Sequence, residues 1–158
     1  MNTTGKAAVA MLVLVCGLLE PVNAGLFEDG SNAWDRGDHT IAIGIFRQLA
    51  DQGDPKAQNK LGTMYQHGWG VQQNYSDAVS WFRQAAERGD ADAQSNLGFM
   101  FLYGRGVAQD YVSAHLWFNV AASAGKTSAV FARDLVAAKM TPAQVAEAQK
   151  RAREWDSK

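Results

Sequence analysis

The chain has 158 residues, 47% of them apolar and 20% charged, with 15 basic against 16 acidic side chains and a net charge of −1. That length suits one folded domain, and a charge balance so even, without a long run of either sign, gives no argument for nucleic acid or an anionic membrane surface as the main partner, and neither is expected.

The first segment has the pattern of an export signal. Lys6 and the terminal amine precede an unbroken apolar or small run from Ala7 to Leu19, Pro21 breaks any helix, and Val22-Asn23-Ala24 supplies small or modest side chains for a signal peptidase. Cleavage is expected after Ala24, leaving residues 25–158 in the periplasm or outside the cell. The apolar run is shorter than the ~20 residues that cross a bilayer, so no stable membrane span is expected after cleavage. Cys16 is the sole cysteine. Val15 before it and the apolar run continuing past it are those of an ordinary signal core rather than a lipoprotein site. The mature chain then has no cysteine, and packing alone must hold it together.

Residues 26–52 read as a partial helical hairpin. Phe27 and Trp34 mark its first helix, Gly37-Asp38 turns the chain and caps the next, and Ala42, Ile45, Phe46, Leu49 and Ala50 stripe the second. Residues 53–88 and 89–124 then align without a gap, with 17 identities in 36 positions, the mark of a repeat. Ala57, Leu61, Met64 and Tyr65 fall on one helical face. Asp54 caps that helix ahead of Pro55 in the first turn. Gly68-Trp69-Gly70-Val71 forms a loop, Asn74 caps a second helix, and Ala78, Trp81, Phe82 and Ala85 line its buried side. Asp90 and Asp110 are placed as Asp54 and Asn74 are. Gly62 and Gly98 lie mid-helix, at a cost of about 1 kcal/mol each against alanine; a close helix approach is expected there, with Ala78 and Ala114 facing them.

Residues 125–158 begin a third unit that keeps Ala129 and then diverges. Thr141-Pro142-Ala143-Gln144 is a capping-box start, and Val145, Ala148, Ala152 and Trp155 give the last helix one apolar face, as in a solenoid cap. The expectation is an all-α solenoid of antiparallel hairpins, about eight helices without a strand.

The spacing A-x-A-Q-x-x-L-G-x-x-Y/F-x-x-G-x-G-V, followed by D/N-Y-x-x-A-x-x-W-F-x-x-A-A-x-x-G, resembles the Sel-one-like repeat, a relative of the tetratricopeptide repeat with a longer loop inside the hairpin. The match is strong over 53–124 and looser over 26–158, whose tail resembles that of bacterial exported members. The resemblance implies a right-handed superhelix that acts as an adaptor for proteins or peptides. Some secreted relatives link each hairpin by a disulfide; this chain lacks those cysteines.

The same resemblance puts the first helices on the concave face. The groove positions would be Lys56, Asn59, Lys60, Thr63, Gln66 and His67 in one unit, Asp92, Ser95, Asn96, Phe99 and Leu102 in the next, and Phe131 in the third. Lysines and amides at one end suit carboxylates or backbone groups, and the aromatics at the other suit an apolar anchor. Alternatively, Phe99 and Phe131 pack against neighbouring helices. Trp69 is either an exposed loop anchor or folds back over Val71.

No catalytic residue, cofactor or metal site is expected. His39, His67 and His115 have no second ligand at metal spacing beside them and read as surface or helix-end side chains. Ser123-Ala124-Gly125-Lys126 fits S-x-x-K, but Gly125 ends the helix that motif needs. The sequence points to a non-catalytic protein- or peptide-binding scaffold of the bacterial cell envelope. The alternatives are a binder or weak hydrolase of cell-wall glycan, for which Asp92 is the one groove acid and has no obvious partner, and a structural member of an envelope assembly.

Overall fold

The computed structural model describes residues 22–156, an all-α solenoid of eight helices with no strand among the described residues. In chain order these are α1 (22–35), α2 (His39–Asp51), α3 (Pro55–His67), α4 (Tyr75–Glu87), α5 (Ala91–Tyr103), α6 (Tyr111–Ser123), α7 (Thr127–Ala137) and α8 (Pro142–Asp156). The expected export signal and Cys16 lie, up to residue 21, outside the described residues; residues 22–24 begin α1.

Each helix from α2 to α7 packs on its neighbour in the chain. The core is accordingly serial. One cluster joins Ala33, Phe46, Leu49, Leu61 and Met64, a second joins Phe82, Leu97, Met100 and Trp117, and a third joins Ala114, Phe118, Ala129 and Val136. No hairpin encloses a core alone, so each unit depends on the next.

Caps start the helices as the sequence predicts, with one exception. The Asp54 carboxylate accepts from Ala57 N at 2.9 Å and Asp90 from Ala93 N at 2.7 Å. Asn74 accepts from Ser76 and Asp77, and Asp110 from Val112 and Ser113. Thr141 and Gln144 form the reciprocal capping box at 2.9 and 3.2 Å. Asp38 makes no side-chain cap; its ψ of 59° is not extended, and its carboxylate meets Arg36 Nε at 3.2 Å instead.

The mid-helix glycines do mark close approach, but their partners are phenylalanines rather than Ala78 and Ala114. A Cβ on Gly62 would lie 2.5 Å from the Phe82 ring, and one on Gly98 would lie 2.8 Å from Phe118. Gly30 stands 2.9 Å from Phe46 in the same sense, so the first hairpin repeats the device. Each phenylalanine is fully buried and seated on the glycine of its own hairpin.

Two further features join successive units. Gln58 and Gln94 are buried and donate Nε2 to Ala50 O and Ala86 O, both at 3.2 Å, tying each first helix to the end of the preceding second helix. Gly70, at φ 69°, places its α-carbon against the carbonyl of His39, and Gly106, at φ 70°, does the same at Tyr75. Any side chain there would strike backbone. The last helix departs from the hairpin pattern: α8 packs chiefly along α6 rather than on α7, with Trp155 edge-on to Trp117 at 4.8 Å.

Candidate functional site

The first helices α3, α5 and α7 carry the candidate face. At its α3 end, a small cleft of about 160 Å³ brings Lys56, Asn59, Lys60 and Asp92 together with Phe27 and Asp90. The end read as basic is therefore mixed. Asp92 is also not without a partner, because Lys126 forms an ion pair with it from the start of α7. Burial pushes the Asp90 carboxyl above its ordinary range, the Ala93 N–H opposes that, Asp92 adds to it, and Lys56 reduces it. Asn96 donates Nδ2 to Asn59 Oδ1 at 3.0 Å and so bridges α5 to α3 across the face. Lys60 spreads over the Trp34 ring, 5.5 Å from its centroid.

The remaining positions divide. Ser95 is buried and cannot meet a partner. Thr63 is half-buried and turns its hydroxyl to Asn59 O at 3.1 Å. Gln66 and Leu102 are half-buried, their carbonyls each accepting a loop glutamine, Gln73 or Gln109, at 2.8 Å. The Leu102 side chain packs on the third cluster. His67 is exposed but lies against Trp69, centroids 4.4 Å apart. Trp69 stays 36% exposed while lying edge-on to Trp34 at 4.9 Å and stacked near His39 at 6.0 Å.

The far end is apolar and open. Phe131 is 74% exposed, Leu135 70%, Tyr103 59% and Phe99 38%. Phe99 does two things at once: one edge meets the buried Phe118 ring at 4.8 Å while its face stacks parallel to Tyr103 at 6.2 Å. Phe131 does not pack into the interior.

The pattern of the Sel1 repeat matches residues 55–90 and again 91–126. The chain carries two Sel1 repeats. No curated protein matches it. Among solved structures it is similar to c5321, a protective antigen present in uropathogenic Escherichia coli strains with an SLR fold. That match has 30% identity and a TM-score of 0.82, and it covers 86% of this chain and 30% of that one. It is also similar to a Sel1 repeat protein from Oxalobacter formigenes, at 37% identity and a TM-score of 0.63, over 68% of this chain and 45% of that one. The chain thus spans less than half the length of either.

The sequence reading missed Tyr103, within the second Sel1 unit, and Leu135, beyond it. Both were within reach of the period, since Leu135 stands 36 residues after Phe99 and Tyr103 36 after His67. The third helix lacks the glycine and leucine landmarks, and this hid the register at Leu135. Among the described residues no cluster of His, Cys, Asp and Glu is placed to hold a metal ion, and no helix is long and apolar enough to cross a membrane. His115 is not a surface side chain. It is buried on α6, its Nδ1 has no partner, and desolvation, with Arg133 nearby, holds its pKa below the ordinary histidine value.

Proposed function

We propose that this chain is a non-catalytic scaffold of the bacterial cell envelope that holds a protein or peptide against the face made by α3, α5 and α7. Sel1 repeats are typically protein-interaction scaffolds, and the observation that carries the reading here is the exposure of four large apolar side chains on this face, Phe99 and Tyr103 on α5 and Phe131 and Leu135 on α7. Three of the four are more than half exposed, and they lie on two successive first helices, where a solenoid presents an extended concave surface. Aromatic side chains in such a position are the usual energetic centres of protein interfaces. The mixed cleft at the other end, with Lys56, Lys60, Asp90 and Asp92, favours main-chain amides or a zwitterionic group over a simple carboxylate. The envelope assignment rests on the N-terminal segment ending at Ala24.

The test is a crosslinked pull-down from the envelope fraction with residues 25–158, beside a Phe131→Asp/Leu135→Asp variant. Both changes are at exposed positions, so the variant should keep its helicity and melting temperature. Capture of one protein that the folded variant loses supports the face. The same protein retained by the variant overturns it. Capture of cell-wall glycan and no protein overturns the protein-binding reading altogether.

A further inference from the structure

The two Sel1 units differ at one joint. Where α4 ends, Arg88 lays its guanidinium on Gly53, the residue that turns the chain into α3. A Cβ on Gly53 would lie 2.9 Å from Arg88 Nη1 and 3.3 Å from Cζ. One period later the turn glycine is Gly89 and the residue in the place of Arg88 is Ala124. Nothing lies within 4 Å of a Cβ on Gly89. In place of the guanidinium there is a cleft of about 460 Å³ lined by Gly89, Gln94, Val120, Ser123, Ala124 and Trp155.

The lining suits a planar cation. The cleft lies at the C-terminal end of α6, where the helix dipole favours positive charge. Trp155 is among the lining residues, and indole rings attract guanidinium groups. Gln94 is buried, and with Nε2 committed to Ala86 O its Oε1 has no donor. An unmet acceptor of that kind costs stability until a donor arrives. Gln58 Oε1 is likewise without a donor in the joint where Arg88 lies on Gly53. A guanidinium entering from outside is not tethered to residue 124 and can reach further in, and a fork of five N–H donors can serve Gln94 Oε1 and backbone oxygens together.

We propose that this cleft is a guanidinium site, filled in trans by an arginine side chain of a partner protein where the preceding unit fills it in cis with Arg88. The site lies at the α4–α5 turn and beside α8, and it does not depend on the reading of the α3–α5–α7 face.

The experiment is a two-dimensional amide NMR titration of residues 25–158 with N-acetyl-arginine amide. N-acetyl-lysine amide and free L-arginine serve as separate arms, and an Ala124→Arg variant is run beside the wild type. The expected result is saturable shifts at Gly89, the Gln94 side-chain amide and the Trp155 indole N–H, half-complete at a ligand concentration on the order of 10 mM, as befits a fragment. Lysine amide should shift them at least about tenfold less well. Ala124→Arg should move the Gly89 amide without ligand, as Arg88 lies on Gly53, and abolish the titration by filling the cleft at the turn, while its remaining spectrum stays that of the folded protein. Equal response to lysine, a titration unchanged by Ala124→Arg, or no saturable shift overturns the proposal. Free L-arginine binding about tenfold or more tighter than the capped form would instead make the ligand the amino acid itself and overturn the partner side chain.

Discussion

Gly62→Ala should destabilise the protein even though it improves the local helix. In a solvated helix interior the change is worth about 1 kcal/mol in favour of alanine. Here the new methyl would stand 2.5 Å from two atoms of the Phe82 ring. Reaching ordinary contact requires the ring to retreat by roughly 1 Å. Phe82 is fully buried in the second cluster, so its retreat must displace other core side chains, and the change overpacks the core at about 3 kcal/mol, the upper end of the usual range. The net loss is then about 2 kcal/mol, a fall in melting temperature of roughly 6 °C for a domain of this size. Gly98→Ala and Gly30→Ala should cost less, because their nearest ring atoms stand at 2.8 and 2.9 Å. Gly44→Ala is the internal control. Gly44 is inside α2, exposed, with nothing within 4 Å of the new methyl, and should stabilise by up to about 1 kcal/mol. Thermal melts followed by far-ultraviolet circular dichroism order the four variants. A Gly62→Ala protein as stable as wild type, or Gly44→Ala and Gly62→Ala shifting in the same direction, would refute the steric account. Partial rescue by Gly62→Ala/Phe82→Leu would identify the ring as the obstacle.

His115 occupies the position of Ile43 and Val79 in the earlier units, and its folded pKa is lowered by desolvation first and by Arg133 second, against a smaller opposing effect of Asp134. The unfolded chain therefore binds the proton more readily, so the stability this group contributes is present above its unfolded pKa of about 6.5 and is lost as pH falls through the lowered folded value. His115→Leu should flatten that acid loss and, by removing an unpartnered buried nitrogen, raise stability at neutral pH by about 1 kcal/mol; urea melts across pH 5–8 check both, and an unchanged pH slope contradicts the assignment. Asn74→Ala should cost about 1 kcal/mol because its side chain accepts from two backbone amides, whereas Asp38→Ala should cost only a few tenths because that carboxylate caps nothing; equal losses in denaturant melts would count against the capping analysis.

Much of the fold was legible because a repeat states its rules twice. Gapless identity between two 36-residue units identified the glycines, the caps and the buried stripes, and single-sequence periodicity was enough to extend them upstream to Phe46. Identity of spacing does not say which side chain meets which. Ala78 was assigned to Gly62 because small residues suggest each other, whereas the close approach exists to admit a ring. The candidate face was only partly legible. Its positions follow from period and helix phase, but burial depends on the angle between units, which turned Ser95 inward and left Phe131 outside. Asp92 and Lys126 are 34 residues apart in the chain and meet only because consecutive first helices start side by side. The direction of α8 was not legible either: a capping box and an apolar stripe are the same whether the helix closes a hairpin with α7 or lies along α6.

The loop glycines Gly70 and Gly106, each pressed on the first carbonyl of the previous unit's second helix, make the joint between units modular. The glycine contact and the glutamine bond that seat one hairpin on its neighbour are each contained in a single period plus the residue it leans on. An additional copy of one period, inserted between the two, would meet the same carbonyl at its leading side and offer the same one at its trailing side. The array can therefore be lengthened without redesigning an interface, and duplication in whole periods is the route by which such a chain acquires a longer surface.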